Sequence, residues 1–258
     1  MTTDDRHDPD ALDALVQVPT SHYEHGYDTL ERFQSYWHQL REATGLGGRI
    51  LEIGIGNGTV SSVLRARGLD VVTTDIDREL RPDVVADIRK LPFEDGSFDG
   101  VLACEILEHI PWDDLPLAFR ELRRVARSWV VFSVPSVGPA AALQASLPNA
   151  VHVLRMIICR RWPLRDGMWA LTQRAVWTRA GGKVRHVGAV DPLRRRHHVF
   201  KGEHYWVLGE GGLVAGDVRT LVTNSGFTIV REFRPAGSVS HQFFVLTGAQ
   251  EHASGPLA

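Results

Sequence analysis

Cysteine is nearly absent from this chain. Only Cys104 and Cys159 occur among 258 residues, far apart and outside any CxxC spacing, so neither a disulfide framework nor a zinc site is suggested and no metal is expected. Long apolar runs are missing as well. No stretch of about 18 uninterrupted apolar residues appears, which argues against a membrane span. The opening MTTDDRHDPD is acidic and carries no apolar segment, so no secretory leader is expected, and a cytoplasmic location suits the two unpaired thiols. Nor is there an excess of one charge. The 29 Lys and Arg stand against 31 Asp and Glu, and a net charge of −2 argues against a nucleic-acid-coated surface. What is present, 43% hydrophobic and 23% charged residues, describes an ordinary globular chain able to bury a sizeable core.

Residues 1–20 are Asp-rich and without periodicity, and are expected to form a flexible arm. Asp28 and Glu31 have capping-box spacing, and Leu30, Phe33, Trp37 and Leu40 recur at three and four residues, which predicts an amphipathic helix ending near Gly45. Short apolar runs follow at 50–53, 71–75, 84–86, 101–104 and 129–134, separated by helical patterns or turns. Parallel neighbours need such crossovers, so the expected fold is α/β: a Rossmann-like, doubly wound, mostly parallel sheet. Two more strands, Phe227 to Phe233 and Gln242 to Leu246, have only a short link between them. They are read as an antiparallel pair at the sheet edge, for seven strands in all.

The regular alternation breaks between 135 and 204. This stretch is too long for a bare loop and is read as an insertion or lid after strand five, within a domain spanning 21–258. From Val151 to Lys201 it holds twelve Lys and Arg against two acids, Asp166 and Asp191. Val151, Leu154, Ile157 and Ile158, interleaved with Arg155, Arg160 and Arg161, suggest a basic amphipathic helix. Arg194 to Arg196 with His197 and His198 would be the phosphate-contacting cluster if nucleic acid were a partner, but aromatics are not interleaved there. A weak membrane-surface contact is the other reading of this basic stretch.

The informative stretch is RILEIGIGNGT, Arg49 to Thr59. An apolar strand ends at Glu52 and Ile53 and opens into Gly54, Gly56 and Gly58 before a helix begins. Such a turn lets a ligand approach bare backbone at the carboxyl end of a wound sheet. The next two strands also end in carboxylates, Asp75 and Asp87, and the three acids are expected to converge on that ligand. Asp75 lies 23 residues after Glu52, a distance at which an acid can accept both hydroxyls of a ribose. The spacing GxGxG departs from the dinucleotide fingerprint GxGxxG, and the GK[ST] of a phosphate-binding P-loop is absent.

Taken in order, LEIGIGNGT, the acid Asp75, ADIRKLPFEDGSFDGVLACEILEHI and the terminal HQFFVL resemble the class I S-adenosylmethionine-dependent methyltransferases, in particular the small-molecule, type 11-like group. The resemblance runs from about His22 to Leu246, with Gly138 to Arg196 unmatched. It implies S-adenosyl-L-methionine as cofactor, S-adenosyl-L-homocysteine as product, and a small-molecule acceptor. It further implies that Gly54, Gly56 and Gly58 pass under the methionine and ribose, with Glu52 near the amino group. Asp75 would hold the ribose hydroxyls beside Ile76, and Asp87 and Ile88 would meet the adenine. Cys104 and Glu105 would border the methyl group, and Tyr23 and Tyr27 would close over the cofactor. An acceptor hydroxyl would need a base, for which His109 and His204 are the candidates. The insertion falls where this group builds its acceptor lid, and its charge points to an anionic or amphipathic acceptor. A nicotinamide-dependent oxidoreductase or epimerase, and a non-catalytic cofactor-binding regulator, are the competing readings. Oligomeric state is not legible.

Overall fold

The computed structural model describes residues 12–24, 26–137, 141–146, 153–158, 200, 202–235, 238 and 240–248. The chain divides into two compact units, Met1–Val137 with His197–Ala258, and Gly138–Arg196. In chain order the strands are β1 Ile50–Ile53, β2 Val71–Asp75, β3 Val84–Val85, β4 Phe98–Cys104, β5 Ala126–Pro135, β6 Ala141–Ser146, β7 Val153–Ile158, β8 Phe227–Phe233 and β9 His241–Gly248. The principal helices are α1 Leu30–Leu46, α2 Thr59–Ala66, α3 Leu115–Val125 and α4 Ala215–Asn224.

The larger unit is built on one seven-stranded sheet of order β3-β2-β1-β4-β5-β9-β8. The first five strands run parallel, and β9 is antiparallel to both β5 and β8. Both faces are covered, which is why these strands read as continuous apolar runs rather than alternating ones. Successive residues of β5 go to opposite sides. Val130, Phe132 and Val134 join the core under α3 and α4, with Leu115, Ala118, Phe119, Leu122 and Val222. Trp129 and Val131 join the opposite core, with Tyr36 and Ala43 of α1 and Val60 and Leu64 of α2. β9 divides the same way, Phe244 and Leu246 against Phe243 and Val245. The reversal between β1, β2 and β3 on one side and β4 and β5 on the other opens a crevice at the carboxyl ends of β1 and β4, where such sheets bind ligands.

Four expectations are corrected. The cap of α1 is Thr29, whose Oγ1 accepts from the Arg32 amide at 3.2 Å. Asp28 is instead drawn away by the Tyr36 hydroxyl at 3.1 Å and the Asn57 amide at 2.9 Å. Of the four α1 residues taken for core only Leu40 packs against it, and the other three lie on the outer side. Leu30, Phe33 and Trp37 are 78, 52 and 54% exposed, while Ser35, Tyr36, Gln39, Glu42 and Ala43 are buried. The basic segment expected as a helix is a strand at 153–158, paired antiparallel with β6 from Ala141↔Ile158 to Ser146↔Val153; Val153, Ile157 and Ile158 are β-branched and suit extended backbone. The rest of that expected helix, and the 194–198 cluster, lie outside the described residues. Last, residues 12–20 pack rather than trail. Leu12 is buried, Asp13 pairs with Arg78 at 3.0 Å, and Thr20 donates to Asp77 at 3.3 Å. Among the described residues no helix is long and apolar enough to cross a membrane.

Candidate active site

The glycine loop leaves β1 through Gly54, whose amide donates to the Thr74 carbonyl at 2.8 Å. Gly54, Gly56 and Gly58 all lie in left-handed backbone, φ +81°, +52° and +73°. At Gly54 the need for glycine is twofold, because a Cβ would also overlap the Ile106 side chain. The loop is pinned from below by Asp75, whose carboxylate accepts the Ile55 amide at 2.9 Å and the Asp77 amide at 3.0 Å. Burial pushes Asp75 up to about 6 against the pull of those amides.

Around the loop lies a cleft of ≈ 480 Å³, part of it open to solvent. Tyr23, Tyr27, Glu52, Gly54, Gly56, Cys104 and Glu105, all named from the sequence, line it together. Tyr23 and Tyr27 meet edge to face with centroids 5.0 Å apart, and Arg32 sits 4.6 Å over the Tyr27 ring. Burial raises the Tyr23 hydroxyl, so it stays a neutral donor. Glu52 closes the floor. It is 5% exposed, its Oε2 has no hydrogen-bond partner, and burial pushes it up to about 8 although Ser61 and Arg65 pull it down. Burial likewise raises the Cys104 thiol, which is therefore protonated and no nucleophile.

Beyond the loop, Glu105 holds the left-handed φ of +58°, uncommon for a residue with a Cβ. Ser133 Oγ donates to its Oε1 at 2.7 Å, and His241 Nε2 lies 3.1 Å from Oε2. Burial works against its charge, but His241 and Ser133 hold the carboxyl below the usual range. The one-turn helix Leu107–His109 follows. The segment 203–206 is tied to it: the Tyr205 amide donates to the Glu108 carbonyl at 2.8 Å and Trp206 Nε1 to the Ile110 carbonyl at 3.1 Å. This brings His204 to His109, ring centroids 4.9 Å apart. Burial, then His204, pushes His109 down to about 4, so it is neutral near pH 7.

Seven sequence-predicted residues, Gly58, Asp75, Ile76, Asp87, Ile88, His109 and His204, do not line the cleft. Ile76, Asp87 and Ile88 follow β2 and β3. Both oxygens of Asp87 are engaged by Arg89, with Nε at 3.0 and 2.9 Å and Nη2 at 2.6 Å, and Arg89 also reaches Asp114 at 2.8 Å. Gly58 acts as the residue before α2. Sequence reasoning missed Arg32, Tyr36 and Gln39, which line the cleft from α1. Their spacing of four and three was a usable signal, a polar stripe on the helix next to the glycine loop.

Bare glycine backbone, a buried carboxylate oxygen lacking a donor, and a carboxylate with spare acceptor capacity suit a ligand bearing both an amino group and ribose hydroxyls. Residues 51–132 match a family model described as a methyltransferase domain. The demethylmenaquinone methyltransferase of Beutenbergia cavernae is 32% identical over 183 residues, covering 59% of this chain and 75% of that one. The ubiquinone biosynthesis O-methyltransferase of Bordetella bronchiseptica is 29% identical over 138 residues, 47% of this chain and 56% of that one. In fold, the chain resembles the Burkholderia thailandensis 1,6-didemethyltoxoflavin-N1-methyltransferase crystallised with S-adenosylhomocysteine, with TM-score 0.53 and 14% identity over 93% of this chain and 90% of that one. Crevice, glycine loop and sequence kinship agree, and the chain belongs to the class I S-adenosylmethionine-dependent methyltransferases.

Proposed function

We propose that the chain transfers a methyl group from S-adenosylmethionine to a small organic acceptor of anionic or amphipathic character. The observation that carries this is the convergence of the glycine loop, Glu52, Glu105 and the Tyr23–Tyr27 pair on one cleft. Bound S-adenosylmethionine supplies a methyl already activated on a sulfonium, so the protein's task is to bind, orient and exclude water. Gly54, Gly56 and Gly58 leave backbone bare for the methionine and ribose portions. Glu52 serves the amino group. Asp75 keeps acceptor capacity for ribose hydroxyls, because a carboxylate offers about four acceptor positions and the Ile55 and Asp77 amides use only part of them. Ile76 and Ile88 flank the adenine, and an adenine amino group at Asp87 would share that carboxylate with Arg89. Tyr23 and Tyr27 exclude water from above, while Cys104 and Glu105 border the methyl.

The acceptor belongs at the Glu105 end of the cleft. A hydroxyl acceptor must lose a proton there, and a positioned base is worth roughly 10²- to 10⁴-fold. His109 and His204, whose rings are 4.9 Å apart, are the candidates for it. Because the two curated relatives are named for demethylmenaquinone and ubiquinone biosynthesis, polyprenylated hydroxy-aromatics are the first acceptors to try. Thermal shift tests the cofactor and a labelled-methyl assay the transfer. S-adenosylhomocysteine should raise the melting temperature where NAD and NADP do not; stabilisation by a dinucleotide alone would sink the reading in favour of an oxidoreductase.

A further inference from the structure

Glu108 does not line the cofactor cleft. Its side chain is fully buried, and neither carboxylate oxygen has a hydrogen-bond partner. A buried polar group left unsatisfied costs on the order of 1–3 kcal/mol, more if charged, so a carboxyl kept this way points to a missing partner. Two imidazoles face it. One ligand atom each from Glu108, His109 and His204 lie within 4.8 Å of one another.

The surroundings of His109 fix which nitrogen is on offer. Its Nδ1 lies 3.0 Å from the Glu203 carbonyl and 3.3 Å from Gln17 Oε1. Both are acceptors. The Gln17 amide cannot be turned round without loss, because its Nε2 donates to the His109 carbonyl at 2.9 Å. Nδ1 therefore carries the hydrogen, and the lone pair is on Nε2. An imidazole that donates one nitrogen to a backbone carbonyl and offers the other is the usual arrangement of a metal-bound histidine.

We propose that Glu108, His109 and His204 form a binding site for one divalent transition-metal cation of the zinc class. Two imidazoles and one carboxylate are the protein ligands of open, catalytic-type zinc sites, which leave a fourth position for water or substrate. Ligand bonds of about 2.0–2.2 Å in a tetrahedral site put donor atoms about 3.4 Å apart, so the three must draw together by at most about 1.5 Å, within reach of side-chain rotation. Imidazole nitrogen disfavours magnesium and calcium, which take all-oxygen sites. Glu105 adds a negative charge beside the cation and lines the cofactor cleft. Glu105 is thus the residue that links the three ligands to the cofactor cleft. Resting on the methyl-transfer reading, the cation would hold the acceptor's oxygen and lower its pKa, so that the hydroxyl proton passes to solvent and no histidine base is needed. Binding of the cation itself does not rest on that reading. His204 lies 95 residues from His109 in sequence, which hides the set from any spacing motif.

The test uses the full chain stripped with a chelator and titrated with zinc, with magnesium in parallel, by calorimetry and by metal analysis after dialysis. The expected result is one zinc per chain, magnesium unbound, and at least tenfold weaker zinc binding in both Glu108→Gln and His204→Ala. Glu108→Gln preserves shape and removes a buried acid, and S-adenosylhomocysteine affinity equal to wild type marks a folded variant. No saturable zinc site, or wild-type zinc affinity in both variants, overturns the proposal. Failure of the wild type to bind S-adenosylhomocysteine would strike the methyl-transfer reading instead and leave the zinc result to stand alone.

Discussion

If Glu52 meets the cofactor's amino group, cofactor affinity must rise with pH in a defined window. In the free protein burial pushes Glu52 up to about 8 from 4.5, so near pH 7 it is protonated. An ammonium group seated against it favours the carboxylate, and binding then expels the proton. With the bound-state pKa returned to its ordinary value, linkage gives an affinity gain of about fivefold between pH 7 and 8 and about 50-fold between pH 6 and 8, roughly 2.3 kcal/mol. Asp75, at about 6, adds a smaller rise at the acid end. The stability of the free protein runs the other way. A carboxyl whose folded pKa is raised binds more protons folded than unfolded, so its contribution falls as pH climbs from 4.5 through 8. Calorimetric titration of S-adenosylhomocysteine at pH 6, 7 and 8, in buffers of different ionisation enthalpy, measures both the slope and the released proton. Glu52→Gln should bind more weakly at pH 8 and lose the slope above pH 7. A flat wild-type profile between pH 7 and 8, or a Gln variant that keeps the slope, would refute the role of Glu52.

Asp75→Ala should weaken S-adenosylhomocysteine binding by about 1.5–3 kcal/mol, the order for charged hydrogen bonds left unmade; equal affinity by calorimetry would remove Asp75 from ribose recognition. It should also lower stability, since the part-buried Ile55 and Asp77 amides lose their acceptor. Gly54→Ala places a Cβ at φ +81° and into Ile106, at an expected stability cost of about 1–3 kcal/mol. Denaturant melts of Gly54→Ala with Ile106→Ala should show the two changes coupled by at least about 0.5 kcal/mol, and strict additivity would mean the overlap is relieved elsewhere. Thr29→Ala removes the cap of α1 and should cost about 1 kcal/mol in denaturant unfolding, whereas Asp28→Ala would cost that much only if Asp28 were the cap.

The sheet was legible because both its faces are covered. Strands such as VLAC and WVVFSV are apolar at every position but Ser133, and the carboxyl ends of β1 and β4 carry the glycines and acids that line the cleft. That register needed no tertiary information. The cation site did, since Glu108 and His109 are neighbours but His204 arrives only through the pairing of 203–206 with the turn after β4. The basic segment misled in the other direction. Arginines interleaved among Val151, Leu154, Ile157 and Ile158 fit a helical wheel, yet 153–158 pair as a strand, because six residues are too few for helical spacing to be told from alternation.

Helix α1 fails as a reading for a reason that bears on function. Its apolar residues recur at helical spacing and would ordinarily face the core, but the surface that α1 covers at its inner end is the cleft, which is polar. Arg32, Tyr36 and Gln39 are turned inward to line it, and Glu31 and Glu42 are held by Ser240 and Arg231 at the far end of the sheet. Burying these groups with their partners fixes the rotation of the helix, and Leu30, Phe33 and Trp37 are left outside as the consequence. Each buried polar group must find a partner or cost on the order of 1–3 kcal/mol, about as much as is gained by burying one apolar side chain. Several such groups on one face therefore outweigh a stripe of three apolar side chains on the other. The rule that apolar periodicity marks the core holds only where the covered surface is itself apolar. A helix laid across a cofactor cleft is where it should fail, and a polar stripe opposite an apolar one, beside a glycine loop, is the sign to look for.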